Sequence, residues 1–119
     1  DFANDDVRYN SGRLINEKAK EFGNLPIVFT ADMNFSEGSD YYTSFIDAGV
    51  FSDTKHAAKD TIDYLTYHDR MPLIHTDSVI DYIMINDMFD AEVYRVVTAA
   101  TEGHYVSDHF PLYADITIK

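Results

Sequence analysis

The chain has 119 residues, which makes one domain the expected count, and no cysteine, which excludes disulfides and thiolate metal sites. Its 21 acidic against 9 basic residues give a formal charge of −12, a surface that repels polyanions and speaks against a non-specific duplex binder with its basic face. An apolar content of 45% and aromatics at 14%, with nine Tyr, supply a packed core and argue against disorder. No run of about 18 apolar residues exists, so no membrane span is expected. The chain begins Asp1-Phe2-Ala3, without Met or a signal-like segment, and is expected to be a fragment or a processed product.

Taken in order, residues 1–9 are polar and read as a loop. A helix is expected from Asn10 or Ser11, with Leu14, Ile15, Ala19 and Phe22 as its apolar stripe and Gly23 as its stop. Asn24-Leu25-Pro26 turns into the continuous apolar run Ile27–Phe29, which predicts a strand buried on both faces. Asp32–Ser39 reads as a loop. A second helix follows from Ser39 or Asp40 to Ala48, capped by Ser39, with Tyr41, Tyr42, Phe45 and Ile46 inward and Gly49 ending it. Phe51–Thr61 reads as a short helical turn with loop around it, Tyr64–His68 as a strand, and residues 69–78 as a loop. Ile80–Ile85 predicts a strong strand, paired through Asn86–Asp90 with another over Glu92–Ala99. Leu112–Ile118 alternates apolar with polar residues and predicts a half-buried last strand. The order of elements indicates a mixed α/β layer.

Three segments end apolar runs in acid, amide or imidazole groups. Asp32 follows a strand, at the end where ligand sites of α/β sheets gather. It could hold a metal-bound water or take its proton, and Asn34 could donate to a phosphate oxygen. The same pair also suits an Asx turn that simply ends the strand. Asp81 lies inside an apolar strand, on the face of Ile83 and Ile85, where a carboxylate needs a partner; a His fits, and so does a structural ion pair. Ser107-Asp108-His109 could supply a metal ligand and a phosphate-binding imidazole, or a capped turn before the last strand. His68, His75 and His104 read as exposed loop residues, and the Tyr-rich stretches as core. There is no Gly-x-Ser-x-Gly elbow, His-Glu-x-x-His, Gly-x-Gly-x-x-Gly, P-loop or Asp-x-Asp-x-Asp-Gly calcium loop.

Together, Ala31-Asp32-Met33-Asn34, Ile80-Asp81-Tyr82-Ile83 and Ser107-Asp108-His109-Phe110-Pro111 resemble, in order, motifs of the second half of the endonuclease/exonuclease/phosphatase superfamily. Ser39–Val50 resembles the helix after the first motif, and Thr66-Tyr67-His68 a strand near the site. The resemblance covers roughly residues 8–118. It implies the C-terminal half of a four-layer α/β/β/α sandwich, each half contributing largely one sheet, with residues 1–119 as a single partial domain. By resemblance, Asp32 positions or deprotonates the attacking water and Asn34 stabilises the transition state. Asp81 orients His109, His109 contacts the scissile phosphate, and Asp108 joins Asp32 at a Mg²⁺ or Mn²⁺ site. The implied activity is divalent-metal-dependent hydrolysis of a phosphate ester, either phosphodiester or phosphomonoester. Nucleic acid, phosphoinositide and sphingomyelin all fall within the family's range, and the acidic surface disfavours long nucleic acid. Ala31 replaces the family's Gly. The first-half motifs, including the principal metal-binding Glu, are not in this sequence. The chain alone is therefore expected to be inactive, to lack its N-terminal half as a partner, and to expose a sheet face through which it could form a homodimer. The alternative function is a non-catalytic binding or assembly module that keeps the fold.

Overall fold

The computed structural model of the chain describes residues 5–68 and 79–119. Helix α1 spans Asp5–Glu21, strand β1 Val28–Asp32, helix α2 Asp40–Asp47, strand β2 Ser52–Asp53 and the one-turn helix α3 Thr54–Ala57. Strands β3 (Asp60–Ile62), β4 (Asp81–Ile85), β5 (Phe89–Val96) and β6 (Leu112–Ile118) follow. They form two three-stranded sheets, one in the order β1-β4-β2 and one in the order β3-β5-β6. The α/β class matches the sequence reading, but the described residues carry two small sheets rather than largely one.

Helix α1 starts well before Asn10. Asp5 and Asp6 sit in its first turn, where carboxylates meet the positive end of the helix dipole, and Arg8 lies one turn on from Asp5. That stretch has no apolar stripe to betray it. The buried face is the expected one only in part: Ala19 is buried and Ile15 packs against the core as expected, but Gly12 and Asn16 join them, whereas Leu14 and Phe22 are exposed. The reason is close packing on α2, since a Cβ on Gly12 would lie 3.3 Å from the Phe45 ring. Helix α2 forms as its sequence dictates. Ser39 Oγ accepts from Tyr42 N, Phe45 is buried, and Gly49 leaves the helix at φ 73°.

The face of β4 that carries Tyr82 and Met84 packs under the helices in a core with Ala19, Phe35, Phe45 and Phe51. β1 is not buried on both faces. It is an edge strand among the described residues, with Phe29 partly buried against the helices and Val28 left 44% exposed. A smaller core gathers Tyr94, Val96 and Phe110.

Two further expectations fail. Tyr64–His68 is not a strand; its only ladder contact among the described residues is a bridge from Tyr67 to His109, and the strand of this region is β3. The β5 strand begins at Phe89 and pairs with β3 and β6, not with β4. A register irregularity between Ala91 and Val93 also shifts which residues face inward, so Ala91 is buried before it and Tyr94 and Val96 after it. The loop expected over residues 69–78, with His75, lies outside the described residues. Among the described residues no helix is long and apolar enough to cross a membrane. Several strand side chains stay open to solvent, including Val28, Ile62, Tyr113 and Ile118.

Candidate active site

Asp32 and Asp81 are direct partners across β1 and β4. Met33 N donates to Ile80 O at 2.9 Å, so that neighbouring pair is the hydrogen-bonded kind and Asp32/Asp81 the narrow, non-hydrogen-bonded kind. In an antiparallel ladder the narrow pair brings side chains closest. Two carboxylates in that position repel each other, a cost that a cation between them removes.

The third group comes from the segment before β6. His109 Nδ1 donates to Asp81 Oδ2 at 2.8 Å, and its Nε2 lies 3.9 Å from Asp32 Oδ2. One ligand atom from each of Asp32, Asp81 and His109 falls within 4.8 Å of the others, a set that could hold a metal ion. The Asp81 side chain is the most enclosed of the three at 17% exposure, against 29% for His109 and 38% for Asp32. Burial opposes the charged imidazole, but the hydrogen bond to Asp81 and the charges of Asp81, Asp32 and Asp108 outweigh it. His109 therefore holds its proton above the ordinary histidine value.

Local structure fixes each group. Asn34 N donates to Asp32 Oδ1 at 2.9 Å, an Asx turn that brings Asn34 to φ 53°, a left-handed conformation Asn tolerates. The Asx turn expected of Asp32 and Asn34 therefore forms, and it leaves Asp32 Oδ2 on the side of His109 Nε2. The Ser107 hydroxyl accepts from His109 N at 3.1 Å and reaches Asp108 Oδ1 at 3.5 Å. Asp108 is absent from the three-residue group; its carbonyl accepts from His68 N at 2.9 Å.

The sequence reading missed two features. Tyr82, 2% exposed, points its hydroxyl at the carbonyls of Phe35 and Val79, both at 2.8 Å, and so ties the turn after Asp32 to the start of β4. Its place on the buried side of the Ile-Asp-Tyr-Ile segment was the available signal. His68 is not an exposed loop residue: it is 6% exposed, with its ring 4.2 Å from Phe110 and 4.6 Å from Tyr105. His104 is exposed, as expected.

A second acid and imidazole group, Glu37, Asp53 and His56, gathers near α3. Here Lys55 already supplies the cation, paired with Glu37 and, at 3.4 Å, with Asp63. Tyr42 donates to Asp53 Oδ2 at 3.0 Å and His56 meets Glu37 at 2.7 Å. Nothing in the sequence brings Glu37 next to residues 53–56.

No family model matches the chain, and no curated protein matches it. Solved structures do. A mannosyl-6-phosphatase from Bacteroides thetaiotaomicron is similar at TM-score 0.88 and 29% identity, over 99% of this chain and 48% of that one. An endonuclease/exonuclease/phosphatase family protein from the same species gives TM-score 0.90 and 29% identity, over 100% and 47%. A family protein from Bacteroides vulgatus gives TM-score 0.84 and 29% identity, over 96% and 45%. The chain spans about half the length of these structures, as a C-terminal half of the endonuclease/exonuclease/phosphatase fold does.

Proposed function

We propose that the chain is part of a divalent-metal-dependent phosphoesterase, with Asp32, Asn34, Asp81 and His109 acting on the phosphate ester and Asp32 and Asp108 facing Mg²⁺ or Mn²⁺. The observation that carries this reading is the 2.8 Å hydrogen bond from His109 to Asp81 beside the Asp32 carboxylate. The donor set fits a hard cation: Asp32 and Asp108 offer carboxylate oxygens, and the Asp81 carboxylate opposite Asp32 adds to the local negative charge that attracts a positive ion. Such an ion, when bound, would supply Lewis acidity toward a phosphoryl oxygen.

The protein's own groups divide the remaining work. Asp81 fixes the orientation of His109 through Nδ1–H and leaves Nε2–H facing the crevice, where the protonated ring hydrogen-bonds a phosphate oxygen. Asp32 orients or deprotonates the attacking water. The Asn34 side-chain amide donates to a non-bridging oxygen as charge builds on it.

Residues 1–119 form one part of a larger domain in this reading. The four-layer arrangement is then completed by a second half, which covers the open sheet faces bearing Val28 and Ile62 and adds metal ligands. A second copy of the chain is the other candidate for that surface. The chain alone turns over slowly or not at all in this reading, because the first-half residues that the resemblance implies, chief among them a metal-binding Glu, are not in this sequence. The substrate is a small phosphate ester. The charge of −12 disfavours polynucleotides, and similarity to a mannosyl-6-phosphatase favours a sugar phosphomonoester.

The test measures phosphate release from mannose 6-phosphate, and nitrophenol release from a bis(nitrophenyl) phosphodiester. Both are run with Mg²⁺ or EDTA, on this chain and on the full-length protein that contains it. Mg²⁺-dependent hydrolysis by the full-length protein, abolished by His109→Ala, is expected. Hydrolysis indifferent to EDTA, or no hydrolysis of either ester, would overturn the proposal.

A further inference from the structure

Asp81 and His109 lie far apart in sequence, and their contact depends on how two separate segments are held. In the narrow Asp32/Asp81 pair, the N–H of Asp81 points away from β1. On that side of β4, β2 reaches only Met84 and Ile85. A part-buried N–H with no strand beside it among the described residues needs another acceptor. Thr66 supplies it: its Oγ1 accepts from Asp81 N at 3.2 Å and from Ile80 N at 3.0 Å.

The same short segment grips the other side of the pair. Thr66 O accepts from Phe110 N at 2.7 Å, and His68 N donates to Asp108 O at 2.9 Å. The Tyr67 ring lies 5.1 Å from the His109 ring. Thr66 itself is 0% exposed, so neither of its contacts competes with solvent. Its side chain thus holds the backbone of Asp81 while its main chain holds the backbone beside His109.

We propose that Thr66 is a positioning residue that sets the Asp81–His109 contact, an inference that rests on the reading of those two as reacting groups. Valine matches the shape of threonine and removes the acceptor, leaving two amides unpaired. Serine keeps the acceptor.

The assay is proton NMR of the folded chain, read at the His109 Nδ1–H resonance. In the parent chain this proton is deshielded and slow to exchange because it sits in the hydrogen bond to Asp81. Thr66→Val loses the resonance, whereas Thr66→Ser retains it. In the full-length protein, Thr66→Val lowers kcat about 10-fold to 100-fold, the usual size of a supporting-group effect, with KM unchanged and serine restoring the rate. A folded Thr66→Val variant that keeps the resonance overturns the proposal.

Should valine prevent folding, amide exchange in the parent chain decides. Ile80 and Asp81 should be as protected as His68 and Phe110; exchange at open-loop rates in Ile80 and Asp81 alone refutes the assignment. If no form hydrolyses a phosphate ester, the phosphoesterase reading fails, while the resonance still decides the role of Thr66.

Discussion

Replacing Asp81 by Asn keeps the size of the side chain and removes its charge, so it isolates the electrostatic part of the contact with His109. A hydrogen bond to a charged group contributes roughly 1.5–3 kcal/mol and a neutral one roughly 0.5–1.5 kcal/mol, a difference of about 1 kcal/mol. Against this, the variant relieves the cross-strand repulsion between Asp32 and Asp81, worth roughly 0.2–1 kcal/mol. The balance depends on pH. His109 binds its proton more tightly folded than unfolded, despite burial, because of the hydrogen bond to Asp81 and the surrounding carboxylates. The stability it contributes is therefore fully present below the ordinary histidine value of about 6.5 and fades as pH rises through the higher folded value. Urea denaturation of both chains near about pH 5.5 should show the variant less stable by about 1 kcal/mol. Once pH exceeds the raised folded value the imidazole is neutral, the carboxylate repulsion is uncompensated, and the gap should shrink toward zero or reverse. A gap that is constant with pH, or wider at high pH, would refute the coupling between the Asp81 carboxylate and the proton on His109.

Other consequences can be checked by the same means. Tyr82→Phe leaves the carbonyls of Phe35 and Val79 without their shared donor and should cost about 1–3 kcal/mol in denaturant unfolding. Lys55→Met strips the cation from Glu37, which is 29% exposed, and should cost on the order of 1–3 kcal/mol. Burial pushes the Glu37 carboxyl up, but Lys55 and His56 together hold it below the ordinary glutamate range. The stability from that pairing is therefore present above the ordinary value and lost as pH falls through the lower folded one. An acid titration of Lys55→Met should accordingly be flatter below about pH 4.5 than that of the parent chain. Added Mg²⁺ should raise the melting temperature of the parent chain and have little effect on Asp32→Asn; equal shifts in both would place the ion elsewhere.

Elements with local causes were legible. The Ser39 cap, the inward Phe45 and the positive φ of Gly49 lie within a dozen residues and gave α2. The apolar run before Ile85 gave β4, and alternation gave β6. The burial of His68 and the group of Glu37, Asp53 and His56 were not legible, because the atoms that create them are brought together only by folding. Nor was the exposure of β1 visible: an apolar run says that a strand could be buried, not that a neighbour lies beside it.

Which chemical groups stand at the ends of apolar segments is a property of the sequence, and it named Asp32, Asn34, Asp81, Asp108 and His109. Tertiary structure decided which of them meet: Asp32, Asp81 and His109 converge, while Asp108 stays outside that group. It also decided that β4 and β5 belong to different sheets. The physical reason is the same in both cases. Period-two patterning fixes which face of a strand is buried, but pairing and register depend on backbone hydrogen bonds that every residue can make, so the choice among partners is settled by packing.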